Sequence, residues 1–209
     1  VMARWPMWRK RLSEWGEQLA IWTADRRVKR VQQANILLDF HPVHGEPALA
    51  EALADRVARL MPGAGLFLDE MAALLDELPV ALDRFGRLAG DDEGAPHDRA
   101  LNLKRQAVLP LVNVVRLLSL RHGVAASDTR ARLTDLVVKE ALPAAHARAL
   151  IVALERLQGL LLDEQLSGLR EGRGADGWVD VSRLDEDQRL LLRHDLQQIR
   201  ALQKRARRL

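Results

Sequence analysis

The sequence predicts a mainly α protein: a helical bundle of the four-helix type with a small β element. Three observations carry this. Leucine supplies 39 of the 209 residues, while there is no tyrosine and there are only three phenylalanines. Leu, Ala, Arg and Glu favour helices, whereas strands favour β-branched and aromatic residues. Long stretches repeat apolar residues every three or four positions, and helix start and stop signals fall between them.

Trp8, Leu12, Trp15, Leu19 and Trp22 are spaced 4, 3, 4, 3 and predict one helical face over about 7–26. The simpler reading of the tryptophan stripe is packing within a domain; the alternative is a sticky partner or dimer face. Residues 35–40, Asn-Ile-Leu-Leu-Asp-Phe, form a short apolar run that reads as a buried strand, broken by the Pro/Gly-rich segment 41–47. Leu49, Leu53, Val57 and Leu60 predict a helix over 48–61, stopped by Pro62-Gly63, and a second helix follows over 65–78. Over 80–105 the periodicity fails. Short apolar segments at 81–88 and 100–104 flank a polar loop holding Asp91-Asp92-Glu93, which fits a β-hairpin or plain loop.

Residues 107–121 are apolar nearly all round and predict a central helix closed by Gly123. Ser127 serves as the expected N-cap of a helix over 128–140. Pro143 suits the first turn of a helix running to about Glu171, some ~42 Å at 1.5 Å per residue. After a break at Gly172, Gly174 and Gly177, Asp185-x-x-Gln188 has the form of a capping box for a final helix from 186. The two long helices should pack antiparallel and, with 107–121 and 128–140, complete the bundle.

Composition excludes several functions. With no cysteine there is no disulfide, thiolate zinc site, iron–sulfur cluster or cysteine nucleophile. No apolar run reaches the ~20 residues of a membrane span and no signal peptide is visible, so a cytoplasmic protein is expected. Gly-x-Ser-x-Gly, Ser-x-x-Lys and the P-loop are all missing. The net charge is +3, and the basic excess lies at the two ends. The run Lys204–Arg208 reads more simply as cations at a helix C-terminus than as a nucleic-acid contact, and no recognition motif supports nucleic acid.

Three features could carry chemistry. His41-x-x-His44, with Asp39 and Glu46 close in sequence, could gather a metal, although the spacing matches no zinc pattern. Asp39 could serve an oxygen-rich magnesium site. Lys104 and Arg105 stand ahead of the apolar helix that carries Asn113 and Arg116, and these four could collect anionic phosphate.

Three stretches then resemble one bacterial family. Val1-Met-Ala-Arg-Trp-Pro-Met-Trp-Arg9 resembles Gly-Gly-Val-Met-Ala-x-Asn-Pro-x-Trp-Arg. Leu38-Asp-Phe-His-Pro-Val-His-Gly-Glu46 resembles Phe-Asp-Phe-Arg-Pro-Val-His-Gly-Asp. Leu101-Asn-Leu-Lys-Arg-Gln-Ala-Val-Leu-Pro110 resembles Ile-Asp-Leu-Lys-Arg-x-Gly-x-Leu-Pro. The closing Ile199–Arg205 is also similar. The family is that of signal-transduction nucleotidyltransferases, which often carry cyclic-nucleotide-binding and CBS domains upstream and are similar to PII uridylyltransferase and glutamine synthetase adenylyltransferase.

The resemblance implies an organisation. Residues 1–47 would be the α/β tail of a nucleotidyltransferase domain, and 48–209 a helical substrate-binding domain. The Val1-Met2 start then reads as a piece of a longer protein whose Gly-Ser and paired-Asp motifs precede it. Asp39 would be the third carboxylate, holding magnesium or activating the attacking hydroxyl. Lys104, Arg105, Asn113 and Arg116, with His41 and His44, would contact the nucleoside triphosphate or an acceptor protein. Such a chain alone would not transfer nucleotide. The sequence departs from the pattern at Trp5, His41, Asn102 and Ala107, and His41 in place of Arg removes a bidentate phosphate binder. The rival expectation is a non-catalytic regulatory interaction or dimerisation module.

Overall fold

The structure, a computed structural model, describes residues 4–24, 31, 34, 35, 37–90, 94–174 and 176–208. The acidic cluster at 91–93 and the basic residues 26, 27, 29 and 30 lie outside the described residues. The chain is mainly helical with a small antiparallel sheet. It divides into two compact units, Val1–Ala72 with Arg116–Ala141, and Ala73–Val115 with Leu142–Leu209.

In the first unit, Pro6–Trp8 forms a 3-10 turn and α1 spans Leu12–Ala24. The helix is shorter at its start than the tryptophan spacing predicts, because Pro6 opens a separate turn that ends at Arg9. The three rings still meet. Trp8, Trp15 and Trp22 have pairwise centroid distances of 6.3 Å, a separation at which tilted aromatic pairs attract. Trp22 and Leu19 are fully buried, so the stripe packs inside the unit.

Residues 31, 34, 35 and 37 are helical, which corrects the strand expected over 35–40. The Leu38 N–H donates to the Ala34 carbonyl at 2.9 Å, a bond four residues back along the chain. Val31, Ala34, Leu37 and Leu38 are buried at helical spacing. The apolar run starting at Asn35 is the end of this pattern, read without its first half.

α2, Pro47–Leu60, begins on Glu46, whose carboxylate accepts from the Ala48 N–H at 3.3 Å, and buries Leu53 and Val57. α3 spans Gly65–Ala73 and buries Phe67, Leu68 and Met71. The helix α4, Leu109–Arg121, starts in the second unit and ends in the first. Gly123 closes it at φ +63°, while the Val124 N–H reaches back to the Ser119 carbonyl at 2.8 Å, the left-handed cap that glycine permits. α5 spans Thr129–Val138. Its N-cap is Asp128 and not the expected Ser127: the Asp128 carboxylate accepts from the Ala131 N–H at 2.8 Å.

The second unit is built on two long helices, α6 (Ala144–Arg170) and α7 (Glu186–Ala206). Arg156 pairs with Asp195, and His146 lies by Arg205 and the Gln198 backbone. Advancing along one helix retreats along the other, so the two run antiparallel. Their core is Leu150, Leu154 and Leu157 against Leu192, Leu196 and Ile199. Asp185 and Gln188 form the expected capping box, with bonds of 2.7 and 3.0 Å.

The sheet corrects the hairpin alternative for 80–105. β1, Ala100–Asn102, pairs antiparallel with β2, Trp178–Asp180, with Leu101 opposite Val179. Both of those side chains are buried. The segment at 81–88 instead folds on itself through a Leu82–Leu88 bridge.

Between β1 and α4 lies a π turn, Lys104–Val108. Pro110 explains it. Proline has no N–H to give the Gln106 carbonyl four residues earlier. That carbonyl accepts instead from the Ala81 N–H at 3.0 Å, and the Leu109 N–H reaches back five residues to Lys104.

Candidate functional site

Asp39 sits in the turn that follows the helical residues 31, 34, 35 and 37. Two arginines of the first unit converge on it. Arg116, near the end of α4, donates through Nε to Oδ1 at 3.0 Å and through Nη2 to Oδ2. Arg132, in the first turn of α5, donates through Nη1 to Oδ1 at 2.8 Å. The same guanidinium spans the neighbouring backbone: Nε donates to the Ala126 carbonyl at 2.8 Å, and Nη2 to the Leu38 carbonyl at 3.1 Å.

The arginines are buried and the carboxylate keeps one side open. Side-chain exposure is 3% for Arg132 and 10% for Arg116, against 33% for Asp39. Burial works to raise the Asp39 carboxyl, but the hydrogen bonds and charges of Arg116 and Arg132 outweigh it and hold it below the usual carboxylate range. For Arg132 burial acts first and lowers its hold on the proton, while Asp39 opposes this.

An apolar cavity of about 160 Å³ adjoins the cluster. Leu38, Phe40, Ala50, Ala54 and Val57 line it, with Arg132 as its buried cation. A space of about this volume accommodates a single six-membered ring.

The residues do not fit a magnesium ion. Magnesium asks for oxygen ligands near 2 Å, and both Asp39 oxygens face guanidinium nitrogens. Among the described residues there is no group of three or more His, Asp or Glu that could hold a metal. His41 and His44 are exposed in the loop after Asp39. The strand that was to make Asp39 a rigid third carboxylate is absent from its position, which is a turn.

The other expected residues divide between the units. Arg116 lies with Asp39, whereas Lys104, Arg105 and Asn113 belong to the second unit. Lys104 and Arg105 are exposed on the π turn, where the Arg105 N–H donates to the Asn102 side chain at 3.0 Å. The Asn113 amide donates to the Leu109 carbonyl at 2.8 Å, one turn back on its own helix.

Sequence reasoning missed Arg132. A signal existed: it stands one turn before Leu136, on the apolar face of a ten-residue helix whose N-cap is the acidic Asp128. A charge on a buried face implies a partner, but nothing in the spacing names Asp39.

These elements define a mainly α protein with a small antiparallel sheet and a two-arginine carboxylate cluster beside an apolar cavity. Residues 65–209 match the family model described as "Putative nucleotidyltransferase substrate binding domain", and the chain belongs to that family. The matched region contains Lys104, Arg105, Asn113, Arg116 and Arg132, and Asp39 precedes it. No curated protein and no solved structure matches the chain.

Proposed function

We propose that this chain is the substrate-binding part of a nucleotidyltransferase that moves a nucleotidyl group from a nucleoside triphosphate to an acceptor, with a regulatory protein as acceptor. The observation that supports it most is the convergence of Arg116 and Arg132, both inside the matched region, on one half-open carboxylate beside a ring-sized cavity. A nucleobase would enter the cavity between Phe40 and Ala54. Its phosphates would meet the two guanidiniums, which are the side chains best shaped for bidentate anion binding. Asp39 holds the pair in place until they arrive. Lys104 and Arg105, on the second unit, would contact an acidic acceptor surface.

Residues 1–47 would end a nucleotidyltransferase core, and magnesium would belong to the carboxylates of that core. This is the organisation of a cytoplasmic bacterial signalling enzyme with regulatory domains such as CBS modules. Among the described residues no helix is long and apolar enough to cross a membrane.

The test is calorimetry of the chain with ATP and UTP in magnesium. Saturable binding should fall at least about tenfold in Ala54→Phe, which fills the cavity. No binding of either nucleotide, or binding indifferent to Ala54→Phe, would overturn the nucleotide reading and favour the regulatory interaction module.

A further inference from the structure

We propose that the groove between the C-terminal half of α7 and the segment 75–84 binds a small phosphorylated ligand with an apolar body. Both walls of the groove belong to the second unit, so this site is separate from the cavity beside Asp39 and independent of the nucleotide reading.

Side chains of α7 and its cap hold the segment by its backbone. Arg200 donates through Nη1 to the Asp83 carbonyl at 2.8 Å and through Nη2 to the Leu82 carbonyl. Gln203 donates to the Leu78 carbonyl at 3.1 Å, and Arg207 to the Leu75 carbonyl at 3.1 Å. Advancing from 200 to 207 therefore retreats along the segment from 83 to 75. The groove between them has a volume of about 500 Å³, within the range of small-molecule pockets.

Its charge is not balanced from within. Arg200 is half-buried, yet its hydrogen bonds go to neutral carbonyls, and Asp83 acts on it through charge alone. The Asp83 carboxylate is turned into its own loop, where it accepts from the Phe85 and Arg87 N–H groups, each at 2.8 Å. Arg84 and Lys204 are exposed and line the same groove. Arg84 lies over the Phe85 ring, 4.7 Å from its centroid, and neither cation forms an ion pair among the described residues. Lys204 follows Arg200 by one helical turn, and Arg84 adjoins the Asp83 carbonyl that Arg200 holds, so the three cations gather toward one end. The other acid of the groove, Asp76, is taken by Arg207 at 2.6 Å. A half-buried cation without a carboxylate hydrogen-bonded to it is uncommon, and here two free cations stand beside it.

The gradient along the groove selects the ligand. A doubly charged phosphate matches the cations at the 82–84 end, where a guanidinium presents its donors as a fork. Leu78 and Pro79 line the stretch toward Arg207, and an apolar ring would lie against them. The Arg207–Asp76 pair closes the far end. An acidic protein segment would need free cations along the whole groove, whereas its second half is apolar and internally paired.

Calorimetry of the whole chain with phenyl phosphate, inorganic phosphate and a short glutamate peptide tests this. Phenyl phosphate should bind saturably, with a dissociation constant on the order of 1 mM or below. Inorganic phosphate lacks the ring and should bind at least about fivefold more weakly. Arg84→Ala and Lys204→Ala should each weaken phenyl phosphate at least about fivefold with the helical circular dichroism unchanged, because both positions are exposed. Ala54→Phe, in the first unit, should leave that binding as it is. Absence of saturable binding, or binding that responds to Ala54→Phe and is indifferent to Arg84→Ala and Lys204→Ala, overturns the proposal. Inorganic phosphate bound as tightly as phenyl phosphate overturns the apolar body. A glutamate peptide that binds more tightly than phenyl phosphate, and weakens in the same variants, overturns the small ligand in favour of a protein contact.

Discussion

Arg132 donates to the Asp39 carboxylate at 2.8 Å across 93 positions of the chain, and its other two nitrogens hold backbone carbonyls on either side. The guanidinium therefore ties three segments of the first unit together: the turn at 38–39, the approach to α5 at Ala126, and α5 itself.

Lysine cannot replace it. A lysine ammonium is a compact charge without the planar fork, so it can keep the ion pair but must abandon at least one buried carbonyl. Arg132→Lys should lower stability by about 2 kcal/mol, the scale of a lost charge-assisted hydrogen bond with an unpaired buried acceptor. Urea denaturation of the chain measures it. A loss within about 0.5 kcal/mol, ordinary for a surface change, would contradict the role assigned to the guanidinium.

Acid should expose the same cluster. The Asp39 carboxyl is held below its usual value in the folded chain, so the folded state binds its proton less readily than the unfolded state does. Its contribution is fully present above the unfolded pKa of about 3.9 and is lost as pH falls through the lower folded value. Wild type should therefore exceed Asp39→Asn in stability at pH 5–8, and the two should converge below about pH 4. Melting temperatures of both across pH 3–8 decide this, and a gap that stays constant into the acid range would contradict it.

Glu140 is the only non-glycine residue with positive φ among the described residues, at 55°. It closes α5 with the Ala141 N–H donating to the Leu136 carbonyl at 2.9 Å. Glycine closes α4 and α6 in the corresponding way, at Gly123 and Gly172. A side chain in the left-handed region costs about 1 kcal/mol. Glu140→Gly should raise stability by about 0.5–1 kcal/mol in thermal unfolding, and a fall would mean that the Glu140 side chain contributes more than its backbone costs.

Two glycines should respond oppositely to alanine. A Cβ at Gly123 would lie 2.9 Å from the Ala58 carbonyl oxygen with φ already at +63°. Backbone cannot swing aside, so Gly123→Ala should cost more than about 1 kcal/mol. A Cβ at Gly16 would come nearer still, 2.2 Å from Arg56 Nη1. That contact is with the tip of a flexible side chain, whose one bond to the Leu12 carbonyl at 3.1 Å would be given up. The gain of about 1 kcal/mol in helix propensity offsets it, so Gly16→Ala should be near neutral. Paired denaturation curves of the two variants test the contrast.

The helices were legible because their causes are local. The spacing through α6 and α7 and the Asp185–Gln188 box lie within a few residues of the structures they produce. The candidate site was half legible. Asp39 and Arg116 were both singled out, but as a metal ligand and a phosphate contact and not as partners of each other.

By itself the sequence determined the mainly helical class, the bounds of the long helices and the absence of cysteine chemistry, since periodicity, caps and composition act along the chain. Only the tertiary structure decided that residues 31, 34, 35 and 37 are helical, that β1 takes β2 as its partner, and that the Gln106 carbonyl released by Pro110 goes to Ala81. It also decided that Asp39 meets Arg132. Each of these depends on which distant backbone is brought alongside. A buried charge or an unpaired carbonyl states that it needs a partner, and the packing of the whole chain chooses which one.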